Sequence, residues 1–252
     1  MKRISFALDE YDLRARLFPA ILGTLPAVVT VYVLMPATHS AGGLVSGSAL
    51  ESAILFWLIR IARDQGKRIQ DQLYTKWGGK PTTAMLRHSD RRFDPFTKDR
   101  YKKVLSKISG LSFPNENDEI ADPLRSDHLY ESGVRALIEV RRGKSYRLIF
   151  SENCNFGFIR NLLGLKPIGL CVAIISLTAD ALAIWKRRVM APNTCWIPIA
   201  VSAVIISLLM GFVTQDAAKR SAEAYAEALL RSCEQGRARQ RATKAGGAGV
   251  GS

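Results

Sequence analysis

The chain has 252 residues, with 36 Lys plus Arg against 22 Asp plus Glu and a formal net charge of +14. Its apolar residues are gathered into long runs between charged stretches, which argues against an ordinary soluble protein and for membrane helices joined to a smaller domain. The positive charge implies an anionic partner, which is nucleic acid, nucleotide or acidic lipid. The cysteines have neither CxxC spacing nor a histidine at ligand spacing, so we expect no metal site, disulfide framework or cofactor.

Four apolar runs predict transmembrane helices, at residues 17–37, 44–62, 167–185 and 195–213. The first run is uncharged over a length that can cross a hydrocarbon core of about 30 Å. Acidic residues precede it, and it is longer than the apolar part of a cleavable signal peptide, so we expect it to remain in the protein. The predicted fold class is therefore an all-α membrane protein, with four transmembrane helices as two hairpins flanking a basic, mostly helical cytoplasmic domain.

The distribution of Lys and Arg predicts which side is cytoplasmic. With four spans, one side holds 4 basic residues before the first span, 21 in residues 63–166 and 7 after the fourth, whereas the opposite loops hold 0 and 3. We therefore expect the termini and the central domain to be cytoplasmic. The loop KRRVMAPN at 186–193 departs from this rule and could stay inside if one of the last two runs did not span.

These features divide the chain into six predicted segments. They are a cytoplasmic N-terminal segment (1–16), transmembrane hairpin 1 (17–62), the basic cytoplasmic domain (63–166), transmembrane hairpin 2 (167–213), a cytoplasmic helix (214–235) and a disordered basic tail (236–252).

Within the central domain, the second span is predicted to run on as a helix until Gly78 and Gly79 end it. A second helix covers 98–109, with Thr97 as N-cap and Gly110 as its C-terminal stop. An acidic loop is predicted at 111–123.

A further helix opens at Asp122 and Pro123 and is predicted to end at Gly143. The segment that follows is compatible with a helix ending at Gly164, although Tyr146 to Ser151 alone could form a small β element instead.

Two acids lie inside apolar runs, Glu51 in the second and Asp180 in the third. Their predicted depths below the outer surface are about 10 and 8 Å, so the two could line one polar pathway in an oligomeric pore. The alternative is that Asp180 turns back to Lys186 or Arg187 at the interface while Glu51 bonds a nearby serine.

Residues 60–107 carry 14 Lys plus Arg against 5 acids, interleaved with aromatic residues. Cations hold phosphates and aromatic faces stack on bases, so this region is predicted to bind an anionic nucleic-acid or nucleotide ligand. A basic collar attracted to anionic lipid is the alternative. The predicted stacking residues are Trp77, Phe93 and Tyr101, and the predicted ligand-binding cations are Lys76, Lys80, Arg87, Arg91, Arg92, Lys98, Arg100, Lys102 and Lys103.

Catalysis is not expected. His88 with Asp90, and His128 with Asp127, are the only histidine–carboxylate neighbours, and adjacency in sequence does not make a catalytic triad. GGKPTT at 78–83 lacks the spacing of a Walker loop.

Three segments, TKWGGKPTTAMLRHSD, DPFTKDRYKKVL and FSENCNFGFIRNLLGLKP, together with the four-span layout, resemble small multi-pass membrane effectors of bacterial anti-phage defence such as the channel component of the Hailong system. No functional residue is carried over from that family. The resemblance implies an inner-membrane homo-oligomer that forms an ion channel controlled by a nucleotide or oligonucleotide, with a nucleotidyltransferase as the source of that ligand. A non-conducting, membrane-anchored binding or assembly protein is the alternative.

Overall fold

The computed structural model describes residues 9–35, 41–142, 146–186 and 196–247, and within those ranges every regular element is a helix. The helices are α1 (Glu10–Leu34, with a π-helical turn at Leu13–Leu17), α2 (Ala41–Lys76), α3 (Pro81–Ala84), α4 (Pro95–Ser109), α5 (Glu116–Ala121), α6 (Pro123–Val140), α7 (Arg147–Trp185), α8 (Trp196–Gly211) and α9 (Gln215–Gly247). The predicted all-α class is confirmed over these ranges.

The chain divides into two compact units. The apolar unit comprises Met1–Leu73 and Cys154–Lys219, and the basic unit comprises Tyr74–Asn153 and Arg220–Ser252. Helices α2, α7 and α9 contribute residues to both units.

Two helices, α1 and α7, are long and apolar enough to cross a membrane. Helix α1 covers most of the first predicted span, and α7 contains the third. A third crossing is compatible with α8 and the adjoining part of α9 taken as one broken span, because this pair passes the same criteria with a bend of 66°. Helix α2 is not among the helices that pass, and it carries Glu51, Arg60, Arg63 and Asp64. The described residues thus contain two or three candidate spans, and the four-span layout stays a prediction.

Glycines allow the helices of the apolar unit to approach closely. A Cβ added at Gly164 of α7 would lie 2.8 Å from the backbone N of Gly66 in α2. A Cβ at Gly169 would lie 3.5 Å from the Cα of Gly23 in α1 and 3.2 Å from a methyl of Leu209 in α8. Contacts of this kind are typical of membrane helices, where small residues let backbones pack against each other.

The basic unit has a core of its own. Tyr101 is 2 % exposed, and it meets Phe93 edge-on with 5.3 Å between ring centroids. The buried members of the core come from the α3–α4 region, α6 and α9, and they are Met85, Leu86, Phe93, Tyr101, Leu105, Tyr130, Val134, Leu137, Ala226, Leu229, Leu230 and Cys233. The last helix therefore completes a core begun by the central segment.

Several predicted helix boundaries are confirmed. Helix α2 ends at Lys76, and Gly78 and Gly79 follow with φ of 74° and 130°, which favour glycine. Helix α4 ends at Ser109 with Gly110 in the left-handed conformation. Its predicted N-cap was wrong. Asp94 caps the helix by accepting a hydrogen bond of 2.9 Å from the Thr97 N–H, because Pro95 opens the first turn two residues before Thr97.

The acidic loop predicted at 111–123 contains a helix, α5. Asn115 caps it, and Glu116, Asp118 and Glu119 occupy its first turn, where carboxylates favour a helix N-terminus. The next helix opens at Pro123 with Asp122 as its cap, as predicted. Gly143, its predicted stop, lies outside the described residues.

The strand alternative at Tyr146 to Ser151 is wrong, since α7 begins at Arg147. The predicted end at Gly164 is also wrong, because this glycine provides close packing and the helix continues to Trp185. Helix α9 extends to Gly247, into the segment predicted to be a disordered tail, whose Ala, Arg and Gln residues favour helix.

Candidate anion site and buried polar cluster

Four of the predicted ligand-binding cations are engaged by carboxylates within the basic unit. Their ion pairs are Lys80 with Glu131 at 2.6 Å, Arg87 with Asp127 at 2.6 Å, Arg92 with Glu223 at 2.5 Å and Arg100 with Glu234 at 3.4 Å. Arg87 also donates 2.8 Å hydrogen bonds to Asp127 and to the carbonyl of Gly78, which fixes the glycine turn after α2. These cations tie the elements of the unit together, so much of the local positive charge is neutralised internally.

Lys98 serves a structural purpose in this arrangement. Its side chain is buried, and its Nζ donates hydrogen bonds to the carbonyls of Arg87, His88 and Asp90. Burial lowers the pKa of Lys98 from its usual value. The ammonium thereby satisfies carbonyls of the turn that follows α3.

The predicted stacking residues occupy different environments. The rings of Phe93 and Tyr101 lie in the core of the basic unit and are closed to a ligand in this structure, and burial raises the pKa of Tyr101 to about 12. Trp77 is half-buried, with its ring 6.0 Å from that of Tyr74. Lys76 and Arg91 are exposed.

The remaining two predicted cations, Lys102 and Lys103, line a cavity of about 970 Å³ in the basic unit. Its wall comes from the turn after α3, helix α4, the segment that precedes α5, the end of α6, and α9. The lining residues are His88, Asp99, Lys102, Lys103, Val104, Ser106, Lys107, Ile108, Phe113, Pro114, Asn115, Val140, Arg141 and Cys233. Four of these side chains are Lys or Arg and one is acidic. The cavity has the size of a small-molecule pocket and a net positive lining.

Lys102 is the buried cation of this cavity, at 6 % exposure. Its Nζ lies 2.7 Å from Nε2 of His88 and 5.0 Å from the centre of the Tyr130 ring. Burial lowers the pKa of Lys102 to about 8, against the opposing effect of the Glu119 carboxylate. An anion bound beside Lys102 would offset that desolvation and favour the charged amine.

Glu119 organises the wall behind Lys102. Its carboxylate accepts hydrogen bonds from the backbone N–H of His88, at 2.9 and 3.1 Å, and from the Tyr130 hydroxyl at 2.6 Å. Burial raises the pKa of Tyr130, and the hydrogen bond to Glu119 raises it further. His88, considered above for catalysis beside Asp90, is instead held by its backbone and sits against Lys102.

Arg141 lies at the end of α6 and also lines the cavity. Its guanidinium donates to the Tyr146 hydroxyl at 2.6 Å and to the carbonyl of Ser232 at 3.3 Å. Its Nε is buried and has no hydrogen-bond partner among the described residues. The site therefore combines the guanidinium of Arg141, held by Tyr146 and Ser232, with the exposed amines of Lys103 and Lys107.

Sequence reasoning missed Lys107 and Arg141. The spacing of Lys103 and Lys107 at i and i+4 along α4 places both on one helix face, and this signal could have identified Lys107. Arg141 reaches the cavity only through the packing of α6 on α4, which local sequence does not encode.

In the apolar unit, Asp180 is fully buried, and its Oδ2 accepts a hydrogen bond of 3.0 Å from the Thr30 hydroxyl of α1. Its Oδ1 is buried and lacks a partner among the described residues. Lys186 is exposed, and Arg187 lies outside the described residues. The partner that the structure gives Asp180 is thus a hydroxyl of α1, the first candidate span. Glu51 lies in α2, but its side chain is outside the described part of the chain.

Over the described residues, the fold and the sites define a helical protein that combines candidate membrane spans with a basic unit containing a cationic cavity. No protein-family model, curated protein or solved structure matches the chain in comparisons of sequence and fold.

Proposed function

We propose that the protein is a multi-pass membrane effector in which several copies form a gated ion-conducting pore, controlled by a phosphate-bearing ligand. The cavity of the basic unit carries this proposal. Its wall contains four cationic side chains and one acid, Asp99; the cations are Lys102, Lys103, Lys107 and Arg141. Such an excess of cations around a partly open cavity favours an anionic occupant.

A nucleotide or oligonucleotide suits the cavity better than inorganic phosphate does. The lining includes Val104, Ile108 and Phe113 beside the cations, so apolar and charged surfaces face the same space. A nucleotide presents the same two characters in its base and its phosphates. The volume of a nucleotide also agrees with a cavity of about 970 Å³, whereas inorganic phosphate would leave most of this cavity empty.

Control of a pore requires a connection between the ligand and the membrane helices. In this proposal the connection is the continuous helices, since α2, α7 and α9 each contribute to both units. A ligand that binds one arrangement of these helices more tightly than another shifts the equilibrium toward it. The proposal further places the protein in a bacterial inner membrane in anti-phage defence, with four spans, cytoplasmic termini and a nucleotidyltransferase that supplies the ligand.

A second candidate function is a membrane-anchored binding or assembly protein that conducts no ions. The burial of Asp180 favours this candidate, because an acid that attracts ions in a pore must meet water, whereas Asp180 is 0 % exposed and bonded to Thr30. Both candidates require a ligand in the basic unit and differ in whether current flows.

Two measurements on the purified full-length protein test the proposal. Fluorescence anisotropy with a labelled oligonucleotide and a labelled nucleotide should detect binding that Lys103→Glu and Lys107→Glu weaken at least tenfold. Arg91→Glu is the matched control, because Arg91 is an exposed cation outside the cavity lining. In planar bilayers, addition or removal of the ligand that binds should change the conductance.

The outcomes separate the two candidates. Binding that depends on the cavity without any conductance would favour the non-conducting protein. Equal weakening by Arg91→Glu would mean that charge anywhere on the unit suffices, as expected for attraction to anionic lipid, and would refute a cavity site.

A further inference from the structure

We infer that the buried polar cluster around Asp180 is a binding site for a small monovalent cation such as Na⁺, for which its oxygen atoms are suitable ligands. The site lies in the apolar unit and is independent of the ligand proposed for the basic unit. It differs from an acidic ring at a pore surface, because helices of one chain enclose it. Asp180 of α7 is hydrogen-bonded to Thr30 of α1. The register of the helices adds two buried serines to the cluster, Ser202 of α8 and Ser176, which lies one turn before Asp180.

The register of the helices places these residues at one depth. Helices α1, α7 and α8 meet at Gly169, which closely approaches Gly23 and Leu209. Helix α8 runs antiparallel to α7, because Lys166 donates to the Val213 carbonyl at 2.9 Å while Gly169 lies beside Leu209.

The three hydroxyls of the cluster each lie seven residues from that meeting point, which is about 10 Å along the axis of α1, α7 or α8. These residues are Thr30, Ser176 and Ser202, with 6 %, 4 % and 0 % exposure. Asp180 is one turn further along α7, and helical side chains tilt toward the N-terminus, so its carboxylate is directed back to this level. The 3.0 Å bond from Thr30 to Asp180 agrees with this register.

Two atoms of the cluster lack partners among the described residues, namely Oδ1 of Asp180 and Oγ of Ser202. Buried polar atoms are normally satisfied, and an unpaired carboxylate oxygen in an apolar surrounding is costly. Both atoms are oxygens and can serve as ligands to a hard cation. A bound cation would satisfy the two atoms at once.

The charge of the cluster selects a monovalent ion. One carboxylate and one monovalent cation leave no net charge among the apolar helices, whereas a divalent ion would leave an uncompensated positive charge, which is expensive there. Carboxylate and hydroxyl oxygens are hard ligands, so soft transition metals are disfavoured.

The test measures the thermal stability of the detergent-solubilised full-length protein as Na⁺ replaces choline at constant ionic strength and constant pH. Binding to the folded state should raise the Tm in a saturable manner. Asp180→Asn keeps the shape of the side chain and should abolish the Na⁺ dependence, and Ser202→Ala should shift its midpoint at least fivefold to higher Na⁺. Ser207→Ala is the matched control, because Ser207 is an exposed α8 serine that bonds the carbonyl of Ala203 in its own helix.

Direct binding of radioactive sodium to the wild-type protein and to Ser202→Ala provides a second readout if Asp180→Asn does not fold. Equal Tm values in Na⁺ and choline, together with no bound sodium, would overturn the inference. A Tm that depends on pH alone, equally in both salts, would assign the site to a proton and would also overturn it. Retention of the full Na⁺ response in both Ser202→Ala and Asp180→Asn would refute this location.

Discussion

Lys102 places its ammonium nitrogen 2.7 Å from Nε2 of His88, at the wall of a cavity that also receives Lys103, Lys107 and Arg141. The amine is buried, so it carries the electrostatic cost of its own desolvation, and its pKa is lowered to about 8. This arrangement makes the charge of the cavity sensitive to pH in a range where exposed lysines remain protonated.

The affinity of the basic unit for a phosphate-bearing ligand should therefore fall as pH rises from 7 to 9. Lys102 is charged below its pKa of about 8 and neutral above it, so the favourable interaction with an anion is present at pH 7 and mostly lost at pH 9. We expect a decrease of about fivefold, corresponding to the loss of one partly screened charge. Anisotropy titrations of the full-length protein at fixed ionic strength measure it.

Lys102→Met should bind more weakly at pH 7 and lose this pH dependence. Lys103→Met is the control, because it removes an exposed amine of the same cavity and should weaken binding while keeping the slope. An unchanged slope in Lys102→Met would show that another group causes the pH dependence.

Lys98→Met should destabilise the basic unit. The substitution removes the donor that the carbonyls of Arg87, His88 and Asp90 share. The loss of these charge-assisted hydrogen bonds outweighs the gain from no longer burying the ammonium group. We expect a loss of about 2 kcal/mol, seen as a lower Tm of the solubilised protein. Arg91→Met, which changes an exposed cation near the same turn, should stay within about 0.5 kcal/mol of wild type. Equal Tm values for the two variants would contradict this role of Lys98.

Gly133→Ala should destabilise the protein even though alanine is the better helix former. The added methyl would lie 2.5 Å from Cζ of Phe113, whose ring stacks on Tyr130 at 5.8 Å. Overpacking costs about 1–3 kcal/mol, which exceeds the propensity gain of about 1 kcal/mol. In a double-mutant cycle of thermal or denaturant unfolding, the penalty should disappear or reverse when Phe113→Ala is also present. A penalty that is independent of Phe113 would contradict the packing argument.

Local features of the fold were readable from the sequence because each depends on a few neighbouring residues. Examples are the glycines with left-handed geometry, Gly78 and Gly110, and the cap of α6 at Asp122. The N-cap of α4 was misplaced by three residues because Asp94 and Thr97 are both good caps, and the fixed φ of Pro95 decided between them.

The features that were not predicted join residues far apart in the chain. Asn161 donates a 2.6 Å hydrogen bond to the carbonyl of Ala15, 146 residues away, at the π-helical turn of α1. Arg92 pairs with Glu223 across 131 residues. Such pairings follow from the packing of whole helices. A prediction based on local charge density therefore assigned several cations to a ligand, although the fold uses them in its own ion pairs.

The residues of the candidate sites show the same contrast between local features, which were predicted, and long-range contacts, which were not. Lys102 and Lys103 were identified because the charge density of α4 is a local property, whereas Arg141 depends on tertiary packing. Asp180 was recognisable as an acid in an apolar run, but its bond to Thr30 depends on how α7 packs against α1.

Gly164→Ala should disrupt the packing of α2 against α7 in the apolar unit. The new Cβ would lie 2.8 Å from the backbone N of Gly66 and 2.9 Å from the backbone carbonyl carbon of Gln65, and backbone atoms inside a helix cannot move aside independently. The helices must separate and lose the contacts around the crossing, so we expect a Tm several degrees lower and less monodisperse protein in size-exclusion chromatography. Gly23→Ala is the matched control, because a Cβ at Gly23 of α1 meets no atom of the described chain within 4 Å. It should match or exceed the wild-type Tm, since alanine favours helix. Equal behaviour of the two variants would mean that α2 and α7 do not approach this closely in the folded protein.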